Sequence, residues 1–263
     1  MSFKVDAYSD KGVKKNVNQD ALVIKQAKVN GVGNICMGIL CDGMGGLSCG
    51  EVASSAFVNR MDSWFRQELP YLFSDPNATE PLNGKQNEHP AALLLSRVEG
   101  QWKKLVQEMN DRIKDYGVSK GMRLGTTVVA IIIIGDKYLT MNVGDSRAYK
   151  FTKRQMEQIS HDHSYVQQQL ELGRMSAQEA NASDKKSMLL QCIGASETVI
   201  PEFFTGTIEK NQHFLLCSDG LWRKLEAKEI MDIAPQRNGI NKLAELVIRR
   251  GETDNISGLI VSV

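Results

Sequence analysis

Five aspartates stand at the ends of apolar segments of the sequence, most of them next to glycine. They are Asp20, Asp42, Asp145, Asp219 and Asp254. If the apolar segments are strands of shared sheets, several of these side chains meet at one sheet edge. Carboxylates gathered there would repel each other and raise each other's pKa values unless cations neutralised them. The pattern therefore indicates a site for hard divalent cations with oxygen ligands, Mg²⁺ or Mn²⁺.

Turn formation is the plainer explanation for any one of these aspartates, because Asp-Gly is a common turn pair. The glycines after Asp42 could also cradle a phosphate. The sequence has no Gly-Lys-Ser/Thr P-loop, however, and its glycine spacing misses the dinucleotide-binding pattern. A Cys/His cluster with zinc spacing and a Gly-x-Ser-x-Gly nucleophile elbow are also missing from the sequence. Spacing alone leaves the structural and the metal-binding explanations open.

The composition is that of a globular protein without an overall charge bias. The chain has 263 residues, of which 42% are hydrophobic and 24% charged, and its formal net charge is +1. These values argue against nucleic acid or an anionic membrane as partner. Five cysteines without a C-x-x-C pair favour reduced thiols. With no signal peptide and no membrane-spanning apolar run, the expected location is the cytoplasm.

The elements that must position these aspartates are short strands and two long helices. Strands are predicted at residues 3–8, 21–24, 35–41, 126–134, 137–143, 205–208, 213–217 and 256–263. The long helices are predicted at 51–65 and 94–113, with shorter ones at 230–233 and 243–248. Residues 70–90 are expected to be irregular.

Hairpins and helices come in blocks, without a regular βαβα alternation. Such an order predicts an α+β fold, in which antiparallel sheets carry helices on their outer faces. No internal repeat or linker divides the sequence, so we expect a single domain over residues 1–263.

Six short motifs, in order along nearly the whole chain, resemble those of the type 2C (PPM) metal-dependent serine/threonine phosphatases. They are Asn18-Gln19-Asp20, Cys41-Asp42-Gly43-Met44-Gly45-Gly46, Gly125-Thr126-Thr127, Val143-Gly144-Asp145-Ser146-Arg147-Ala148-Tyr149, Ser218-Asp219-Gly220-Leu221-Trp222 and Thr253-Asp254-Asn255-Ile256. Each is weak by itself, but six in family order are specific. The Asp-Gly-Met-Gly-Gly form is similar to that of bacterial members. The resemblance implies a four-layer α-β-β-α sandwich of two antiparallel sheets flanked by helices.

The resemblance also implies a pair of tightly bound metal ions. Asp42 would bridge the two ions, and the Gly43 carbonyl would bind one of them. Asp219 and Asp254 would hold the other. Two such ions lower the pKa of a water, aim it at phosphorus and neutralise charge on the phosphoryl oxygens.

Three more residues receive roles from the resemblance. Asp20 would orient the attacking water, and Asp145 would join Asp219 at a third, weaker metal site. Lys15 stands where family members usually carry a phosphate-binding arginine. Lysine offers a point charge rather than a two-pronged fork, so a weaker or less directional grip on phosphate is expected. Lys14 and Lys15 could also be a solvated turn.

Residues 161–197 resemble the flap of the family. His161 and His163 open this segment and could supply a general acid, although exposed loop histidines are the simpler interpretation. Gln19 stands where glutamate is frequent in the family, which softens the charge around the site. Met44 cannot donate a proton, so the general acid stays unassigned.

The resulting hypothesis is metal-dependent hydrolysis of phosphoserine and phosphothreonine in proteins, by a monomer that opposes a serine/threonine kinase. One alternative is a catalytically weakened phosphoprotein-binding relative, disabled by Lys15. Another is a different two-metal hydrolase, such as a nuclease. The complete set of aspartates argues against the first, and the near-neutral charge argues against the second.

Overall fold

The computed structural model describes residues 2–44, 49–74 and 90–263. Gly45 and Gly46 of the second motif, and residues 75–89 of the stretch predicted to be irregular, lie outside these ranges. The strands are β1 Lys4–Asp10, β2 Asp20–Val29, β3 Gly33–Met44, β4 Gly125–Thr126, β5 Val128–Ile134, β6 Lys137–Val143, β7 Arg147–Phe151, β8 Met156–Gln158, β9 Glu202–Thr207, β10 His213–Cys217 and β11 Ile256–Ser262. The helices are α1 Gly50–Gln67, α2 Leu69–Ser74, α3 Pro90–Lys120, α4 Tyr165–Glu171, α5 Ala177–Ala182, α6 Asp219–Trp222, α7 Ala227–Ile233 and α8 Gly239–Arg249.

The strands form two antiparallel sheets. One has the order β1-β11-β10-β7-β8, and the other has the order β2-β3-β5-β6-β9, with β4 paired to the end of β3. The strand β5 shows why the sheets stack, because its run of β-branched residues is buried on both faces. Successive side chains point to opposite faces of a strand, so Ile131 packs between the sheets and Ile132 packs under the helices.

Three apolar layers result. The layer between the sheets contains Leu40, Phe214 and Leu259. A second layer lies under α1 and α3, where Trp64 and Trp102 meet edge to face, and a third lies under α7 and α8. This is the four-layer α-β-β-α arrangement, and the expected α+β fold is confirmed. None of the helices in the described ranges combines the length and apolar character needed to cross a membrane.

The structure departs from the sequence-based prediction at places that depend on distant partners. Residues 69–74 form a helix rather than irregular chain, because Leu69 and Leu72 pack into the core. The strand β7 was not predicted, because it is short and mixes charged with apolar residues, and its pairing with β10 determines it. Asp42 lies inside β3 rather than at its end, since β4 pairs with Gly43 and Met44 and lengthens the strand.

Candidate active site

Asp20 and Asp42 are brought together by the β2–β3 hairpin. In its antiparallel register the two residues lie directly opposite each other. Side chains at opposite positions point to the same face of the sheet and are close neighbours. The hairpin therefore converts a separation of 22 residues into a pair of adjacent carboxylates.

The other three aspartates reach the same place from turns. Asp145 follows β6, Asp219 begins α6 directly after β10, and Asp254 precedes β11. A cleft of about 340 Å³ collects them with Asp42; its lining is Lys15, Gln19, Asp42, Gly43, Met44, Thr127, Asp145, Ser187, Leu189, Asp219 and Asp254. Asp20 does not line the cleft and is buried, with 8% of its surface exposed.

Hydroxyl groups fix the backbone of Asp42. The Asp42 N–H donates to Thr127 Oγ1 at 3.0 Å, and the Asp42 carbonyl accepts from Thr126 Oγ1 at 3.0 Å and from the Thr127 N–H at 2.9 Å. Thr127 Oγ1 also lies 2.8 Å from Ser146 Oγ, next to Asp145. The Thr126-Thr127 motif thus links Asp42 to the turn that carries Asp145.

The carboxylate of Asp20 is held at one oxygen only. Its Oδ2 accepts from Ser218 Oγ at 3.0 Å, and Ser218 Oγ in turn accepts from the Ser257 N–H at 3.1 Å. The other oxygen, Asp20 Oδ1, is buried and has no hydrogen-bond partner among the described residues. A buried acceptor without a partner costs free energy, so this oxygen is suited to a ligand outside the chain.

Asn255 fixes the loop that carries Lys15. Its side-chain oxygen accepts from the Gln19 N–H at 2.9 Å, and its amide donates to the carbonyls of Lys11 at 3.0 Å and Val17 at 3.1 Å. The Gln19 carbonyl in turn accepts from the Gly43 N–H at 3.1 Å. Gly43 itself is closely enclosed, since a Cβ there would lie 2.2 Å from the Gly50 carbonyl oxygen.

Burial makes the ionised carboxylates unfavourable. It raises the pKa of Asp42 well above its usual range, and the nearby charges of Asp20 and Asp219 raise it further. The pKa of Asp20 rises to about 7, mainly through burial, which outweighs the lowering effect of the hydrogen bond from Ser218. The pKa of Asp145 also rises to about 7, through burial and then the charge of Asp219. Cations would relieve this repulsion.

The donor set of the cleft fits a hard divalent cation. Its ionisable acceptors are carboxylates, and in the described part of the chain no histidine or cysteine lines it. Oxygen ligands of this kind suit Mg²⁺ and Mn²⁺ rather than zinc or copper. The raised pKa values and the unpartnered Asp20 oxygen point to the same conclusion.

Two basic side chains touch the carboxylates. Lys15 Nζ lies 2.9 Å from Asp254 Oδ1, with the two side chains 44% and 41% exposed. The hydrogen bond to Asp254 is the main cause that raises the pKa of Lys15. Arg223 contacts Asp219 at 2.9 Å and Asp145 at 3.4 Å. Because Lys15 lines the cleft and its side chain is nearly half exposed, it lies at the mouth of the cleft.

The two histidines of the flap face a different cavity. His161 and His163 line a cavity of about 270 Å³, and both also approach Glu202. The prediction of exposed loop histidines is wrong for His163, which is 6% exposed. Neither histidine lines the cleft that contains Asp42.

The hydrogen bonds of His163 determine where its proton lies. Nδ1 accepts from the Gly144 N–H at 3.3 Å and faces the Gln191 amide nitrogen at 2.7 Å. Neutral His163 therefore carries its proton on Nε2, which faces Glu202 Oε1 at 3.7 Å. A metal-ligating nitrogen must be free of a proton, so this arrangement does not suit a metal ion at His163.

The segment 161–197 forms part of the cleft wall. Its two short helices, α4 and α5, begin at the capping residues Ser164 and Ser176. Hydrogen bonds from the Tyr165 N–H to the Met188 carbonyl and from the Leu190 N–H to the His163 carbonyl close its base. Ser187 and Leu189 then line the cleft.

Comparison with known proteins agrees with this geometry. A family model described as protein phosphatase 2C matches residues 11–253. The chain belongs to the protein phosphatase 2C family. The family resemblance inferred from the six motifs is confirmed, and membership makes the chain a metal-dependent serine/threonine phosphatase.

Bacterial phosphatases are among the relatives that this chain matches. The serine/threonine phosphatase stp of Listeria welshimeri is 31% identical over 232 residues, which are 85% of this chain and 82% of that protein. The crystal structure of Stp1 from Staphylococcus aureus is 25% identical, with a TM-score of 0.82 over 100% of this chain and 96% of that one. The catalytic domain of the phosphatase PstP, solved with 2 manganese ions, has the same fold, with 24% identity and a TM-score of 0.72 over 99% and 97% of the two chains.

Sequence reasoning missed several residues that hold this phosphatase site together. The available signal was position within the motifs, which contain Thr127, Ser218 and Asn255, and the last two are also adjacent to Asp219 and Asp254. Arg223 lies outside the motifs, but it follows Asp219 at the i,i+4 spacing of a helical ion pair.

We expect divalent cations to stabilise this protein more at pH 8 than at pH 6. The folded-state pKa values of Asp20 and Asp145 are near 7, above the unfolded value of about 4. The folded state therefore binds more protons between these values, and the stability of the metal-free protein falls as pH rises. Thermal melts in EDTA and in Mn²⁺ at both pH values measure this; ions at 100 times their Kd would add about 2.7 kcal/mol.

Asp42→Asn supplies the contrast for these melts. The variant should be more stable than wild type in EDTA at pH 8, because one buried charge is gone, and it should lose most of the gain from Mn²⁺. Asp232→Asn, a change at an exposed residue of α7, should behave like wild type. Coincident EDTA and Mn²⁺ curves for the wild type would contradict the prediction.

Asn255→Ala should lower stability and weaken substrate binding. Removing the side chain leaves the Gln19 N–H without its acceptor, and an unsatisfied buried group costs about 1–3 kcal/mol. The loop that carries Lys15 is then less fixed, so KM for a phosphopeptide should rise. Chemical denaturation and steady-state kinetics measure both effects, with exposed Asn59→Ala on α1 as the control. A variant with unchanged stability and KM would show that Asn255 does not brace this loop.

Proposed function

We propose that this chain hydrolyses phosphoserine and phosphothreonine in proteins with two divalent cations, Mg²⁺ or Mn²⁺. Asp42, the Gly43 carbonyl, Asp219 and Asp254 would hold them. The observation that carries the proposal is the burial of like-charged carboxylates around one cleft of the family fold. When bound, the ions supply an activated water and neutralise the phosphoryl oxygens.

Asp20 would direct the attacking water. Ser218 fixes one oxygen of this carboxylate, and the unpartnered Oδ1 is available to accept a hydrogen bond from a water. A water that is held by an acceptor of fixed position loses less orientational freedom when it reacts. Asp20 would thus act on the nucleophile from its position opposite Asp42 in the β2–β3 hairpin.

Lys15 would bind the substrate phosphate. Its ammonium group is at the cleft and is only partly buried, so it can exchange Asp254 for a phosphoryl oxygen without a large desolvation cost. The lysine binds as a point charge, and its contact with phosphate is less directional than the paired hydrogen bonds of an arginine.

Asp145 lines the same cleft, and we assign it to the side of the departing alkoxide.

The remaining features of the proposal concern the cell. We propose a single catalytic domain over residues 1–263 with residues 161–197 as a flap, acting as a cytoplasmic monomer that opposes a serine/threonine kinase. The formal charge of +1 supports a phosphoprotein rather than nucleic acid as substrate.

Mn²⁺-dependent phosphate release from a phosphothreonine peptide, from p-nitrophenyl phosphate and from DNA separates this function from the alternatives. A nuclease would act on DNA, and a weakened binding protein would release phosphate from none of the three.

Asp42→Asn, Asp219→Asn and Asp254→Asn should each nearly abolish turnover at saturating Mn²⁺, because each removes a charged ligand of the ion pair. Phosphate release from a phosphothreonine peptide measures this. Asp232→Asn, at an exposed acidic residue of α7, should keep full activity. Retention of most of the wild-type turnover by any of the three site variants would contradict the assignment of ligands.

Lys15→Ala should raise KM for small phosphoesters and change kcat less, since the lost interaction belongs mainly to substrate binding. Lys15→Arg should preserve or improve binding, because guanidinium pairs with phosphate through two hydrogen bonds. Steady-state kinetics with p-nitrophenyl phosphate measure both, and Lys14→Ala is the matched control. Equal KM values for wild type and Lys15→Ala would contradict a phosphate-binding role and favour the alternative that Lys15 is part of a solvated turn.

A further inference from the structure

Arg223 forms ion pairs with two aspartates of the cleft at once. Its Nη1 lies 2.9 Å from Asp219 Oδ2, and its Nη2 lies 3.4 Å from Asp145 Oδ2. The three side chains are largely buried, with exposed fractions of 24%, 14% and 9% for Arg223, Asp219 and Asp145. The guanidinium therefore bridges the two carboxylates from a sheltered position.

Local structure holds this arginine in place. Arg223 follows α6, and its N–H donates to the Asp219 carbonyl at 3.1 Å, so helical geometry puts the two side chains on one face. The neighbouring Trp222 donates its indole N–H to the Asp145 carbonyl at 3.1 Å. The short helix thus ties the backbone of the Asp145 turn to the base of Arg223.

A second arginine supports the same turn. The Arg147 guanidinium lies 3.4 Å from the centre of the Trp222 ring and pairs with Asp162 at 2.7 Å. Trp222 is therefore fixed on its ring face and at its nitrogen. These contacts leave little freedom for the Asp145 turn to move away from Arg223.

A third metal ion does not fit this arrangement. The resemblance implies a weak ion bound by Asp145 and Asp219, yet Arg223 already bridges Oδ2 of each. A divalent ion bound there would have to displace the guanidinium or lie against its positive charge, and like charges a few ångströms apart repel strongly in a sheltered site. Lys15 differs, because its one ion pair among the described residues is with Asp254 and its side chain is more exposed than that of Arg223.

We propose that Arg223 is a built-in cation that takes the place of the third metal ion, so that this phosphatase binds two ions and not three. The inference rests on the proposed function, which supplies the pair of ions. An arginine stays protonated across the working pH range and cannot dissociate. Asp145 then keeps its partner whatever the concentration of free metal, and the response of the enzyme to Mn²⁺ reflects only the filling of the pair.

Counting bound ions tests this inference directly. Calorimetric titration with Mn²⁺ and equilibrium dialysis are carried out on wild type, Arg223→Gln, Arg223→Asp and the double variant Arg223→Asp/Asp145→Asn. Arg112→Gln is the matched control, since Arg112 pairs with Glu108 along α3 at the same helical spacing and far from the cleft chemistry. Circular dichroism verifies that each variant is folded.

We expect two ions per chain for wild type and for the control. Arg223→Gln and Arg223→Asp should each gain one further, weaker ion, with the aspartate variant binding it more tightly because it adds an oxygen ligand. The double variant should lose that added affinity. A third ion in wild type, or no additional ion in both single variants, would overturn the inference and leave the ion pair standing. Absence of any bound ion in wild type would overturn the proposed function and this inference with it.

Discussion

Repulsion among buried carboxylates is the constraint on which the rest of this structure depends. Asp20, Asp42, Asp145 and Asp219 lose water on folding, and burial is the largest cause of the raised pKa of each. A fold that gathers such groups gives up stability in the metal-free state. That stability returns when the carboxylates are protonated at lower pH or when cations bind, so folding and cofactor binding become thermodynamically linked. The same repulsion that destabilises the empty cleft is the source of its affinity for divalent ions.

The sandwich supplies the rigidity that this arrangement needs. Apolar layers fix the strands, and hydrogen bonds that involve the side chains of Thr127, Ser218 and Asn255 then fix the loops and strand ends that carry the acidic groups. Each of these polar side chains is itself buried and satisfied, a condition under which buried hydrogen bonds specify one geometry. The carboxylates cannot relax apart, so their electrostatic strain stays concentrated at the cleft. Preorganisation of this kind is what electrostatic catalysis requires.

The two basic contacts of the cleft differ in physical character. Lys15 is a half-exposed ammonium group on a loop, suited to exchanging one anionic partner for another. Arg223 is sheltered, follows a helical turn and bridges two carboxylates. Its planar fork matches that task, whereas a lysine could neutralise only one partner at a time. One cation is therefore placed to serve the substrate and the other to serve the protein.

The sequence by itself determined the family, the fold class and the aspartates, because β-branched runs, glycine-flanked acidic residues and motif order are local properties. It also placed most strands and both long helices. The tertiary structure decided what depends on distant partners: the helix 69–74, the strand β7, the extension of β3 past Asp42, and the burial of His163. It alone revealed that Asn255 holds the Lys15 loop and that Arg223 bridges Asp145 and Asp219. Contacts such as that of Asn255 with Lys11, 244 positions apart, leave no periodic trace in the chain, since only packing and register bring the partners together.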